Sequence, residues 1–349
     1  MPITSRFVWE EFMKLGNLWL YVLLSVTTVV AHAQSVGRNP GIALQGPDHY
    51  SFTVGDVKVT ALSDGSVPQD LHVLLRNTTN EKTDALLDRS FLSNPVEASL
   101  NVYLFQSGDR LVLVDTGAGE FFGPGFGDKL LSSLASVGVS PEQVTDILLT
   151  HAHDDHMGGL VHGGKLTFQN ATVHMSKADL DFFLNRVNSE RTGYAMSYFD
   201  QAFTALEPCL KAGKIKTFTG SEEVLPGVTV EPHPGHTPGS VFYRLKSHGQ
   251  EIVFIGDIIH VAAVQAPAPE VTITYDVNPT MAASVRREAF SAFADHRTLV
   301  AVPHLPFPGV GHFRRMGTGF EWVPVAYSNR APGSDDVFVD PHKNGDKRK

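Results

Sequence analysis

Ile147-Leu148-Leu149-Thr150-His151-Ala152-His153-Asp154-Asp155-His156-Met157-Gly158-Gly159 runs an apolar strand into a dense cluster of histidines and carboxylates. His151 and His153 are two apart in extended chain, so they point to the same side. Asp155 and His156 fall where the chain turns and face a second point nearby. Gly158 and Gly159 are expected to let the backbone turn tightly into a helix. Imidazole nitrogens and a carboxylate at this density are the borderline ligands that zinc prefers. A charged surface loop acquiring H-x-H-x-D-H by accident is improbable, because histidine is a rare residue.

One loop cannot fill two metal sites, so further ligands are expected at other strand ends. Pro234-Gly235-His236-Thr237-Pro238-Gly239-Ser240 puts a histidine in a tight turn between strands. Phe254-Ile255-Gly256-Asp257 puts a carboxylate just after an apolar strand, and Val300-Ala301-Val302-Pro303-His304 a histidine after the last one. Loops at the carboxyl ends of strands are where α/β sheets place their sites. The histidines at 49, 72, 162, 174, 233, 248, 296 and 312 have no such context, although His233 lies close to His236.

Outward from these loops the pattern is hairpins first, then strand–helix alternation. Residues 50–54 and 57–62 alternate as a strand pair around Gly55-Asp56. Residues 81–92 read as a helix, and 99–106 and 110–114 as two strands around Gly108-Asp109. The run Leu111-Val112-Leu113-Val114 suits a strand covered on both faces. Helices are expected over 129–137, 177–188 and 280–294. Strands are expected over 143–150, 229–232, 242–245, 251–255 and 298–303. Such a series predicts an α/β fold with two β-sheets sandwiched between layers of helices.

Together with Asp115-Thr116-Gly117 after a strand, the motifs resemble the metallo-β-lactamase superfamily over about residues 50–313. The resemblance implies an αββα sandwich with two metal ions at the open edge between its sheets. It implies that His151, His153 and His236 hold the first metal, and Asp155, His156 and His304 the second. Asp257 would bridge them, and Asp115 would orient the metal loop from behind. Within the superfamily the chain is most similar to methyl parathion hydrolase and related secreted lactonase-like enzymes. The residues behind this are Gly117-Ala118-Gly119 followed by Phe121-Phe122-Gly123-Pro124, then Gly256-Asp257-Ile258-Ile259-His260, and Pro303-His304-Leu305-Pro306-Phe307-Pro308-Gly309. That group implies a homodimer and an entrance lined by aromatics, here Phe121, Phe122, Phe182, Phe183, Tyr198 and Phe199. Core packing is the competing reading of each aromatic. Phe182 and Phe183 are expected on a helix, and Tyr198 and Phe199 in the connection after it. His260 is expected behind the ligands or in reach of substrate.

Two zinc ions lower the pKa of a shared water toward neutrality and yield a bridging hydroxide. With that hydroxide, Asp155 and Asp257 form the expected catalytic group, and no serine or cysteine nucleophile is needed. Manganese, cobalt or iron would also suit these ligands. The leading expectation is hydrolysis of an ester-like bond in a small, uncharged or aromatic molecule: a lactone, an aryl ester or a phosphotriester such as methyl parathion. A glyoxalase II-like thioesterase and a β-lactamase are the alternatives. The aspartate at 257 and the short stretch after Phe313 weigh against them. A diiron flavoprotein would carry glutamate in place of His153, and a non-catalytic binding protein would be expected to lose ligands.

A net charge of −9 argues against nucleic acid as a partner, because phosphate neutralisation needs a basic face. A single cysteine, Cys209, excludes an internal disulfide and reads as a buried structural thiol. Residues 1–33 read as a cleaved signal peptide, with Met13 an alternative start. An apolar run over 18–30 ends at Ala31-His32-Ala33 and is too short for a stable membrane anchor. Export to the periplasm or the medium follows from that reading. A leader over 34–47, a hydrolase domain over 48–330 and a polar tail over 331–349 complete the expected organisation.

Overall fold

Strands β1 (His49–Val54), β2 (Val57–Gln69), β3 (Val96–Ser107), β4 (Arg110–Val114), β5 (Asp146–Leu148), β6 (Thr172–Ser176) and β7 (Ile215–Phe218) form one sheet in sequence order. The second sheet follows the same rule with β8 (Glu222–Leu225), β9 (Val228–Pro232), β10 (Val241–Ser247), β11 (Gln250–Phe254), β12 (Leu299–Ala301), β13 (Val310–Met316) and β14 (Gly319–Pro324). The computed structural model describes residues 49–329. The signal peptide, leader and polar tail expected from the sequence lie outside the described residues. Among the described residues no helix is long and apolar enough to cross a membrane.

Alternation along the strands sorts the core into layers. Tyr103, Phe105, Val112 and Val114 meet Val230, Tyr243, Ile252 and Phe254 between the sheets. Their neighbours Val102, Leu104 and Leu113 face outward onto a first helical layer. Val253 and Ile255 face outward on the other side, onto Phe290 and Phe293 of helix Pro279–His296. This is the expected αββα sandwich. Burying each of these phenylalanines contributes roughly 1.5–3 kcal/mol.

Hairpins join the strands at the start of each sheet, and parallel pairing replaces them near the middle. β4, β5, β6 and β7 pair parallel, as do β11 and β12. The carboxyl ends of β4, β5, β11 and β12 therefore release their loops along one edge.

Four local expectations need correction. β2 runs past Leu62 to Gln69 because a register shift between Ser63 and Gly65 lets it keep pairing with β3. The strand expected over 143–150 is only Asp146–Leu148, because residues 141–143 form a turn and Thr150 gives its N–H to the Asp115 carboxylate. The helix expected over 177–188 stops at Phe183. There the Asn188 amide donates to the Phe182 carbonyl, and a new helix, Val187–Thr192, begins. Tyr198 and Phe199 lie in helix Met196–Lys211 rather than in a connection. Phe199, Ala202, Leu206 and Cys209 on one face of that helix pack into the first helical layer despite Pro208 inside it.

Candidate metal centre

Five loops bring their chemistry to one edge. β4 ends at Asp115, whose carboxylate accepts from Thr150 N, Thr150 Oγ1 and His156 Nδ1, each at 2.8 Å. After β5 come His151 and His153, and then a single helical turn, Asp154–Met157, carrying Asp155 and His156. His236 follows β9, Asp257 follows β11 and His304 follows β12. Asp179, buried on helix Lys177–Phe183, ties two of these loops together. It accepts from Ala152 N, Gly239 N and Thr237 Oγ1.

Gly158 and Gly159 have a different role from the one expected. Gly158 has an ordinary helical φ of −59°, so turning freedom is not what it supplies. A Cβ on Gly158 would meet Ala118 O at 2.0 Å, and one on Gly159 would meet Thr116 O at 2.1 Å. Glycine lets the ligand loop lie directly on the 116–118 backbone.

Hydrogen-bond chemistry fixes which nitrogen each histidine turns inward. Asp276 Oδ1 and the Ser99 carbonyl only accept, so His236 and His304 donate to them through Nδ1 and turn Nε2 inward. His156 donates Nδ1–H to Asp115 in the same way. Thr150 Oγ1 spends its proton on Asp115 and so accepts from His151 Nδ1 at 3.1 Å. His153 is the inverse case: its Nε2 faces the Tyr194 hydroxyl at 2.8 Å, leaving Nδ1 inward.

His151 Nε2, His153 Nδ1 and His236 Nε2 therefore converge, with His153 Nδ1 3.0 Å from each of the others. His304 Nε2 and His156 Nε2 lie 2.9 and 3.1 Å from the two oxygens of Asp257, and Asp155 approaches the same two imidazoles at 3.4 and 3.6 Å. Two donor groups result: His151, His153, His236 and Asp257, and Asp155, His156, Asp257 and His304, each with ligand atoms within 4.8 Å of one another. His156 Nε2 and Asp257 Oδ1 are buried without a hydrogen-bond partner. Carboxylates buried this closely need positive charge beside them, either protons on the imidazoles or a cation in their place. The donor set fits one divalent ion per group, with Asp257 common to both.

Electrostatics point the same way. Burial works against charge on His236, but Asp257 and Asp276 prevail and raise it to about 9. The neighbouring carboxylates likewise overcome burial to hold His304 above the ordinary histidine value and His156 well above it. Burial, and then the adjacent imidazoles, keep His151 and His153 well below that value. The carboxylates thus demand positive charge that two of the imidazoles resist carrying as protons.

The family model of the Metallo-beta-lactamase superfamily matches residues 97–304, which include every one of these donors. The chain belongs to the metallo-beta-lactamase superfamily. Among solved structures it is similar to the hydrolase AbOPH of the beta lactamase superfamily, at 34% identity and TM-score 0.78, over 82% of this chain and 100% of that one. It is also similar to AidC, a dizinc quorum-quenching lactonase in complex with a product, at 26% identity and TM-score 0.74, over 81% and 99% of the two chains. An N-acyl homoserine lactonase of Bacillus cereus is 28% identical over 195 residues, 49% of this chain and 70% of that protein. Some curated relatives are matched over less of their length. The chain spans 34% of metallo-beta-lactamase domain-containing protein 1 of Xenopus laevis, at 38% identity over 93 residues that make up 27% of this chain. The expectation of a metal-dependent hydrolase of this superfamily is borne out by these likenesses.

Around the superfamily site the aromatics separate. Phe182 and Phe199 are buried in the first helical core, which favours the packing reading of both. Phe183 is buried too, but its ring packs edge-on against His153 at 5.6 Å. Tyr198 is half-buried at 5.3 Å from the same imidazole. Phe121 is half-buried against the first core and Phe122 half-buried beside it, in the turn Gly119–Phe122. His260 is buried, stacks on His304 at 5.0 Å and puts Nε2 3.2 Å from Asp257 Oδ2, out of hydrogen-bond alignment. Burial pushes it down to about 4. His233 turns away and stacks on Phe242. Cys209 is buried, and burial pushes its thiol up to about 11.

Sequence reading missed Tyr194, Tyr275, Asp276 and Asp179. Tyr194 and Tyr198, four residues apart, were the one local signal. Asp276 and the Ser99 carbonyl reach the site only through tertiary packing.

Proposed function

We propose that this chain is a dinuclear zinc hydrolase of ester-like bonds. Lactones stand first as substrates, with aryl esters and phosphotriesters such as methyl parathion as the other classes. The reading rests on one observation: five imidazoles, each engaged on its outer nitrogen, turn their inner nitrogens into two donor groups that share Asp257. The lactonases among its relatives favour the lactone. Resemblance to the methyl parathion hydrolase group, a homodimer and export through residues 1–33 belong to the same proposal.

His151, His153, His236 and Asp257 would hold one ion, and Asp155, His156, His304 and Asp257 the other. Bound there, a pair of divalent ions would bring the pKa of water toward neutrality and polarise the oxygen of the bond to be cut. Asp155 is the donor most open to solvent, with a side chain 15% exposed against 1–3% for the other donors of its group. Its carboxylate is placed to hold the proton lost by the attacking water and return it to the leaving oxygen. The His260 imidazole makes no hydrogen bond and is available to a substrate oxygen. Tyr198, Phe183 and Tyr275 flank the imidazoles and exclude bulk water.

Metal analysis of the purified chain, followed by a panel of an N-acyl homoserine lactone, an aryl ester, a methyl phosphotriester, a thioester and a β-lactam, tests this. Two zinc ions per chain and turnover of the lactone are expected. Turnover of only the thioester or only the β-lactam would replace the substrate reading with the thioesterase or β-lactamase one.

A further inference from the structure

We propose that Tyr194 is a positioning residue that locks His153 in the tautomer required for metal binding. The proposal rests on the metal reading above. Tyr194 lies between helices Val187–Thr192 and Met196–Lys211, and its carbonyl accepts from Ser189 Oγ at 2.7 Å. The Tyr194 hydroxyl has two neighbours at 2.8 Å, His153 Nε2 and the Tyr275 carbonyl. A carbonyl only accepts, so the single phenolic proton goes to Tyr275. The hydroxyl oxygen must then accept from His153 Nε2–H, and the lone pair of His153 is left on Nδ1.

The opposite tautomer is disfavoured twice. It would set the Nε2 lone pair against a phenolic lone pair at 2.8 Å. It would also place a proton on the nitrogen that faces His151 and His236.

The Tyr275 carbonyl is itself held in place. Asp276 N donates to Ile273 O, Asp276 Oδ2 accepts from Ile273 N, and Val277 N donates to His236 O. One short segment therefore orients two ligands, His236 through Asp276 and His153 through Tyr194. The second donor group has separate supports, Asp115 for His156 and the Ser99 carbonyl for His304. Loss of the phenolic hydroxyl should loosen the first ion and spare the second.

The test compares the wild-type chain with Tyr194→Phe. Long-range proton–nitrogen NMR of the metal-free protein, with His153 assigned by a His153→Gln variant, is expected to show Nε2–H in the wild type and Nδ1–H or a mixture in Tyr194→Phe. Chelator competition with zinc is expected to show one ion bound about tenfold more weakly, the usual scale for such outer supports, with the other unchanged. Nδ1–H at His153 in the wild type would overturn the proposal whether or not the variant folds. Equal weakening of both ions, or of neither, would also overturn it. A wild-type chain that takes up no zinc would sink the metal reading, and the tautomer would still decide the role of Tyr194.

Discussion

Asp276 Oδ1 lies 2.9 Å from Nδ1 of His236, in a carboxylate buried from solvent. Behind it Arg286 is fully buried, with Nη2 3.9 Å from Asp276 Oδ2 and its other nitrogens given to the carbonyls of Ile258, Pro269 and Val271. Charge thus passes from a buried cation through a carboxylate to a ligand imidazole. The carbonyl of Ile258, the residue after Asp257, is held by the same guanidinium.

Asp276→Asn keeps the shape and removes the charge. Zinc affinity of the group containing His236 should fall about 10- to 100-fold, the usual cost of losing a carboxylate behind a ligand histidine. Arg286 would lose its counter-ion, so unfolding free energy should fall by about 3 kcal/mol. Chelator competition and urea unfolding of the metal-free chain measure the two effects separately.

Proton and metal compete at His236, whose folded-state value of about 9 lies above the ordinary 6.5. A group raised on folding stabilises fully below its unfolded value, and its contribution is lost as pH rises through the folded one. The metal-free chain should therefore lose this contribution between about pH 6.5 and about pH 9. Zinc must displace the same proton, so its affinity should climb across that window and level off above it. Chelator competition over a pH series checks the slope, and a flat profile would contradict it.

Gly158→Ala probes the contact between the ligand loop and the 116–118 backbone. The added methyl group would sit 2.0 Å from Ala118 O, and backbone on both sides leaves it no flexible side chain to displace. Stability should fall by about 1–3 kcal/mol. Metal content should fall with it, because His156 lies two residues before the insertion. A variant with wild-type melting temperature and full metal content would argue against close packing as the reason for glycine.

The ligand set was legible because each donor sits at the end of an apolar strand, and the strands follow a short-range period. Position along the chain and position at the sheet edge coincide for His151, His236, Asp257 and His304. Outer supports obey no such rule. Asp276 meets His236 across forty residues, and the Ser99 carbonyl meets His304 across 205, so only packing brings them together. Helix Met196–Lys211 is not evident in the sequence although its buried face recurs at helical spacing, since Gly193 precedes it and Pro208 interrupts its period. For Phe182 and Phe199 the sequence leaves entrance and core equally open, and only their burial favours the core. β5 came out shorter than its apolar run because the Asp115 carboxylate captures the amide of Thr150.

Anomalous scattering at the zinc edge from crystals of the metal-loaded chain tests the proposed dinuclear centre most directly. Two peaks are predicted, one among His151, His153 and His236 and one among Asp155, His156 and His304, with Asp257 touching both. A single peak, or zinc bound away from Asp257, would contradict the account.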